Sequence, residues 1–573
     1  MTNKEQRSYV PHVDYTKAKQ SVWSCINTFN LEKRKDNKGK HFIFGFMYNP
    51  GGPVQEVFIT TDCSCTVNVN VSTPLFDPNF FQTFRLSKHH VSKVTFSSSI
   101  QEGPGTLLGN KGIEIKSDEE ITVYGVNRAH ATADAYTVFP LDTLGDEYYV
   151  ITWANKAQFM IIATAENTVV KIVIANGTNV VYNSITYTAG MILNITLNMY
   201  QTFHVYGGPD YTGTKILSNK PITVISGASC TTIGVGGCDH LSSQMTPVET
   251  FGSTFVTFKM ANCNTPVHFK IVVSENNTDV NITGEATVTL FNSGDRYSFQ
   301  ITDNSSKIVT SNKPIAVAFF SEGGCGQPTG DPAMVLLQPT QQFAADYTFR
   351  RSNNCRSRIK KGGLLLDGRN LSATWRRIDG SNDLRITDIN ITKGAHSIYH
   401  VNPIVTFLAV STGLANANGY AYSSGQRLAP INGNCTLTIT VPGDIIDNDC
   451  DGLIDEELQD GIDNDGDGEI DEDLAKPFEE FNATTTSTTA TSTTTLPTRT
   501  TPSYIKEIVG DNLSTDMVIA GVLSSLFALS CFSTVVYFLK RKLKGKNGQV
   551  EDVFSSISSN NIPPVHNTVP NKA

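Results

Sequence analysis

From residue 42 to 126 the apolar residues come in short, partly alternating runs, and Gly, Asn, Asp and Ser break them. Alternation with a period of two marks strands that bury one face. It predicts strands at 42–47, 56–60, 66–71, 81–86, 94–98, 112–116 and 121–126. Seven or eight short strands in about a hundred residues fit a small β-sandwich.

The pattern then repeats. Three times a proline is followed four residues later by a bulky apolar residue, and four after that by an aromatic. The runs are Pro140, Leu144, Tyr148; Pro247, Phe251, Phe255; and Pro339, Phe343, Tyr347. Each opens a new β-rich stretch that closes on a Pro-Ile-like strand, with Ile121, Ile222, Ile315 and Ile404 spaced 101, 93 and 89 residues apart. Self-similarity at a fixed period signals one supersecondary unit used repeatedly. The expected fold is all-β, with four tandem sandwich-like units over residues 38–430. Two four-stranded blades per unit give the same strand count, so an eight-bladed β-propeller is the rival architecture. Residues 1–37 lack periodicity and read as an N-terminal segment, truncated from a preceding element.

Past the β-units the pattern changes. Residues 517–539 carry no charge and suffice to span a bilayer. Lys540, Arg541, Lys542, Lys544 and Lys546 follow at once, which places the 540–573 tail in the cytoplasm and the preceding residues outside. A type I, single-pass protein of the plasma membrane is expected. Such a protein needs a leader, yet residues 1–29 hold no apolar core, so the true start is expected upstream. Residues 477–516 form a Thr/Ser-rich stretch that cannot bury a core. It reads as a disordered stalk with acceptors for O-linked sugar. Eleven Asn-x-Ser/Thr sequons precede the apolar segment, among them Asn70, Asn176, Asn194, Asn276, Asn281, Asn304, Asn370 and Asn390.

Charge matters in one place only. The net charge of −9 is concentrated in residues 444–473, which hold fifteen Asp and Glu and no Lys or Arg; the rest of the chain carries +6. No basic, aromatic-interleaved face points to nucleic acid. Within the acidic block, Asp447-Asn448-Asp449-Cys450-Asp451-Gly452-Leu453-Ile454-Asp455-Glu456 recurs sixteen residues later as Asp463-Asn464-Asp465-Gly466-Asp467-Gly468-Glu469-Ile470-Asp471-Glu472. Carboxylates at positions 1, 3 and 5, a glycine at 6, a backbone carbonyl at 7 and an acid at 9 suit Ca²⁺. The predicted ligands are Asp447, Asp449, Asp451, the Leu453 carbonyl and Asp455, and then Asp463, Asp465, Asp467, the Glu469 carbonyl and Asp471. Leu458 and Leu474 stand at position 12, where an EF-hand has its bidentate Glu, and Glu456, Glu457, Glu472 and Asp473 crowd positions 10 and 11. Ile454 and Ile470 at position 8 are expected to pair the two loops. The loops are similar to thrombospondin type 3 calcium repeats, and the ion is expected to stiffen the join at residues 431–476.

Ten cysteines lie outside the apolar segment, an even set with no CxxC spacing, which reads as disulfides in an oxidising compartment. The near neighbours Cys230 with Cys238, and Cys435 with Cys450, are the expected pairs. No HExxH, GxSxG or Walker loop is present, and Cys238-Asp239-His240 falls where the other units have Asp134-Ala135-Tyr136 and Asp331-Pro332-Ala333. Only the Asp recurs. These residues read as an inter-unit connection, and no enzyme is expected.

At these connections the chain resembles the N-terminal domain family of IgGFc-binding protein. The matching text is Ile121-Thr122-Val123-Tyr124-Gly125-Val126-Asn127, Asp134-Ala135-Tyr136, Pro140 through Tyr148, Ser218-Asn219-Lys220-Pro221-Ile222, Cys238-Asp239-His240-Leu241 and Pro247 through Gly252. The similarity covers about residues 40–425. It implies a secreted or surface glycoprotein of mucus, matrix or adhesion, and it assigns no residue to immunoglobulin binding. The expected function is calcium-stabilised binding of an extracellular protein or glycan. The alternative is a matrix or coat component without a specific ligand.

Overall fold

The computed structural model describes residues 35–476, apart from short internal gaps. The first unit has strands β1 (Gly39–Phe44), β2 (Val54–Thr60), β3 (Thr66–Thr73), β4 (Asp77–Ser87), β5 (Val91–Phe96), β6 (Leu107–Gly109), β7 (Ile113–Arg128) and β8 (Ala133–Val138). The two strands predicted at 112–116 and 121–126 are one strand that changes partners midway. Its first half pairs with β1 and β3, its second with β2 and β8, all antiparallel. With β4 beside β3 and β5 beside β2, two sheets result. Their inner faces share one core, from Phe42 and Val69 on one side to Val57, Val123 and Tyr136 on the other. That is a β-sandwich, and the propeller alternative falls: two sheets stack within each repeat.

The same pairing recurs three times. In the second unit, Ala157–Ala163 pairs with Thr202–Gly208 and Ile222–Thr231, and Thr168–Val173 pairs with Ile192–Leu197 and Lys215–Ser218. The third unit again uses one long strand, Ile308–Ser321. In the fourth, Gly394–His400 and Leu408–Ala415 divide that role. Residues 403–406, predicted as the closing strand there, form a turn instead. A buried hydroxyl shows the true register. Tyr148 Oη donates to the Ile222 carbonyl at 2.8 Å while accepting from Gly145 N at 2.9 Å. Tyr347 Oη does the same with the Phe407 carbonyl and Ala344 N. Phe407, not Ile404, is therefore the fourth equivalent of Ile222.

The proline connections are single turns of 3-10 helix at Leu141–Thr143, Val248–Thr250 and Thr340–Gln342. Each proline seats on a glycine of the preceding unit. A Cβ added to Gly39, Gly145 or Gly252 would lie 2.3, 2.6 or 2.2 Å from Cβ of Pro140, Pro247 or Pro339. The third unit has Phe255 where the second has Tyr148, so the ring alone fits that pocket. Tyr148→Phe is therefore expected to keep the packing and lose the hydroxyl bridge. The cost, about 2 kcal/mol for the buried groups it strands, should appear in chemical denaturation.

The four units close on themselves. The last strand of each unit — β8, Asp239–Gln244, Met334–Leu337 and Asn418–Ser423 — packs beside the others around one centre. The first unit also meets the fourth through Tyr124, whose hydroxyl reaches the carbonyls of Ser424 and Thr348 at 2.8 and 3.2 Å. Lys38 Nζ bonds Asp62 at 2.8 Å and Asp346 at 2.6 Å across the same joint. Residues 35–37, assigned from sequence to a separate segment, pair with 426–428 and belong to the ring. Among the described residues no helix is long and apolar enough to cross a membrane. The stalk, the expected span 517–539 and the tail lie outside the described residues.

Candidate functional site

Three sets of polar residues could carry chemistry. The first is Cys238-Asp239-His240. Cys238 is in a disulfide with Cys230, as expected from their spacing. Asp239 and His240 lie in a strand at the ring centre, not in a connection, and both are fully buried. Asp239 accepts N–H bonds from Ala133 at 2.6 Å, His240 at 2.8 Å and Gly419 at 2.9 Å. Its counterpart Asp134 accepts from Ala135 at 2.8 Å and Ser242 at 2.9 Å, and faces the backbone of Ala421 and Met334. The two carboxyls thus bond the central strands of the first, second and fourth units and face that of the third. Burial pushes both Asp carboxyls well above the ordinary range, and the N–H bonds pull the other way. Burial likewise lowers the His240 imidazole to about 4, so it is neutral at physiological pH. With the sulfur bonded and both partners sealed from solvent, the set is a structural hub.

The second is a cleft of about 560 Å³ in the fourth unit, bordered by Leu366, Leu371, Thr374, Arg376, Asp388 and Asn390. Arg376 there pairs with Asp388 at 3.4 Å. The cleft gathers no catalytic set.

The third is the acidic module. Asp447 and Asp449 converge with Asp473, and Asp463 and Asp465 converge with Glu457, each triplet offering oxygens within 4.8 Å of one another. Two oxygens bound to one Ca²⁺ at about 2.4 Å are at most about 4.8 Å apart, so both triplets fit that ion. The third member in each case comes from the other loop. Glu457 is position 11 of the first loop and Asp473 is position 11 of the second. A parallel bridge from Glu457 to Leu474 exchanges them, with Glu457 N on the Asp473 carbonyl at 2.9 Å and Ala475 N on the Glu457 carbonyl at 2.8 Å. Glu457 and Asp473 are fully buried. The Asp473 Oδ1 has no hydrogen-bond partner. Burial and the nearby carboxylates of Asp455 and Asp444 push Asp473 up to about 8. A buried acid strained in this way is what a cation would relieve.

Several predicted ligands stand elsewhere. Asp455 pairs with Arg427 of the ring at 3.4 Å and accepts from Ile445 N at 3.4 Å. Asp471 Oδ1 accepts from Asp460 N at 3.1 Å and Gly461 N at 3.0 Å. Both sit in the left-handed region, with φ of 50° and 58°, so position 9 bends the two loops alike. Asp451 and Asp467 lie outside the described residues. The expected pairing of Ile454 with Ile470 does not form. Ile454 is buried against Ala429 of the ring and Ile445 of its own module, while Ile470 is 55% exposed. Sequence reasoning missed Glu457 and Asp473 as site members; the signal available was that both hold position 11.

Two disulfides were also missed: Cys63–Cys65 and Cys263–Cys325. Cys450 is disulfide-bonded, and its expected partner Cys435 lies outside the described residues.

Residues 134–413, from the central strand of the first unit into the last long strand of the fourth, match the family model described as IgGFc binding protein. The human IgGFc-binding protein (Homo sapiens) is 26% identical over 355 residues, which is 58% of this chain and 6% of that protein. The chain therefore spans only a small part of that relative's length. The acidic module lies outside the matched span.

Proposed function

We propose, from the resemblance of residues 134–413 to IgGFc-binding protein, that this chain is a single-pass cell-surface protein that binds an extracellular protein or glycan. The observation that carries the reading is that match, which spans the second, third and fourth units of the ring. A closed ring of sandwiches offers a broad, rigid surface, and repeat architectures commonly serve binding. The apolar run 517–539 and the basic residues after it support an anchor in the plasma membrane. The same reading makes the chain a binder without catalysis, with Cys238, Asp239 and His240 spent on structure.

Binding of soluble residues 30–481 to arrayed glycans and extracellular proteins tests the proposal. The fragment keeps 35–37, which pair with 426–428. The Fc of immunoglobulin G is one probe, because the human relative is named for it. Saturable binding to a defined ligand supports the reading. Concentration-dependent self-association alone would favour a coat component instead.

Calcium is proposed to stabilise the module, held by Asp447, Asp449 and Asp473 and by Glu457, Asp463 and Asp465. The buried, unpartnered Asp473 Oδ1 supports this. Ion binding to the folded state stabilises it by mass action. Chelation with EDTA is expected to speed proteolytic cleavage within 444–473 and to leave the ring intact. Identical cleavage with and without calcium, and no heat on calcium titration, would sink the proposal.

A further inference from the structure

We propose that N-linked glycans at Asn70, Asn194 and Asn276 cover apolar side chains that the outer sheets of the first three units leave in solvent. The inference rests on these units being extracellular. Each sandwich has an inner sheet, which contributes the central strand, and an outer sheet far from the centre. Directly paired antiparallel residues share a face, and diagonal neighbours lie about 7–8 Å apart, within reach of long groups.

In the first unit Asn70 pairs with Thr83 and Ser72 pairs with Phe81, so Phe81 is diagonal to Asn70 on the outward face. Phe81 is 64% exposed. In the second unit Asn194 pairs with Lys171, and Val169 pairs with Thr196. Val169 is diagonal to Asn194 and Ile192 is two residues along the same face; both are exposed. In the third unit the Asn277 N–H bonds the Phe291 carbonyl at 3.2 Å, and the Asn276 side chain accepts from Ser293 N two residues beyond Phe291, which is 66% exposed. Each asparagine opens an Asn-x-Ser/Thr sequon.

The geometry leaves the attachment atom available. Asn70 Oδ1 accepts from Thr83 Oγ1 at 2.9 Å, and Asn276 Oδ1 accepts from Ser293 N at 2.7 Å. In both the bond uses the amide oxygen, whereas the sugar is carried on the nitrogen. Asn281 is the contrast. Its outward neighbours across the strand pair are Asp279, Thr287 and Thr289, all polar. A sugar there has no apolar side chain to cover.

The test is soluble residues 30–481, one compact unit, secreted by cultured eukaryotic cells behind an exogenous leader. Amidase release of glycans in heavy-oxygen water tags every asparagine that carried one. Tags at Asn70, Asn194 and Asn276 are expected. Binding of a hydrophobic dye to the folded protein is expected to rise after glycan release. It should rise likewise in Asn194→Gln and Asn276→Gln but stay level in Asn281→Gln. Bare asparagines at the three positions with sugar on other sequons would overturn the inference and leave the extracellular reading standing. Sugar on no sequon would overturn both. Occupied sites with unchanged dye binding would refute the covering role.

Discussion

Combining Glu457→Gln with Asp463→Asn is expected to leave one calcium ion bound to the module, while combining Glu457→Gln with Asp447→Asn leaves none. The expectation follows from the exchange of position 11. Glu457 converges with Asp463 and Asp465 of the other loop, so the first pair of changes strikes a single triplet. Asp447 belongs with Asp449 and Asp473, so the second pair strikes both. Were each loop a self-contained site, Glu457 would serve the loop that holds Asp447, and the two outcomes would be reversed. Glutamine keeps the size of the side chain and removes its charge. It also puts an amide where Glu457 Oε1 and Oε2 accept from Asn464 N and Asp471 N, each at 2.5 Å. Loss of a charged ligand should weaken its site tenfold or more, about 1.4 kcal/mol. Titration calorimetry reads the stoichiometry directly. Asp455→Asn serves as control, since Asp455 is held by Arg427 and belongs to neither triplet.

Why the loops were legible and their exchange was not follows from what each needs. The Asp-x-Asp repeat is local, and its alternating carboxylates are visible in ten residues. The bridge from Glu457 to Leu474 joins backbone seventeen residues apart, and no residue type announces it. The same divide runs through the ring. The four units were legible because Pro140, Pro247 and Pro339 begin a turn that needs proline's fixed φ and sits against a glycine. The outer strands were legible because one face meets solvent and so alternates. The strand Ala133–Val138 was read as a connection because every one of its residues is buried. A strand covered on both faces has no period of two to detect. The closure of the ring was out of reach: Tyr124 meets Ser424 across 300 residues. The Cys263–Cys325 bridge was equally so, since it depends on Val267 pairing with Ser321.

Asp134→Ala is expected to destabilise the ring by about 4 kcal/mol or more, enough to block secretion or to lower the melting temperature by many degrees. The carboxyl takes N–H groups from Ala135 of the first unit and Ser242 of the second, and faces the backbone of Met334 and Ala421 in the third and fourth, in a site with no exposed surface. Alanine leaves those donors without their acceptor. A buried unsatisfied donor costs about 1–3 kcal/mol, and losses above about 4 kcal/mol mark a broken buried network. Asparagine is expected to rescue only in part, because its single carbonyl oxygen accepts while its amide turns two further N–H groups toward donors. Asp331→Ala is the comparison that decides. Asp331 occupies the recurring position in the sequence, but it lies three residues before its strand begins at Met334. Its carboxyl faces Gly237, away from the Asp134 site. A small loss for Asp331→Ala beside a large one for Asp134→Ala would show that the hub, and not the recurring residue, holds the four units together. Equal losses, read by chemical denaturation of the two variants, would refute it.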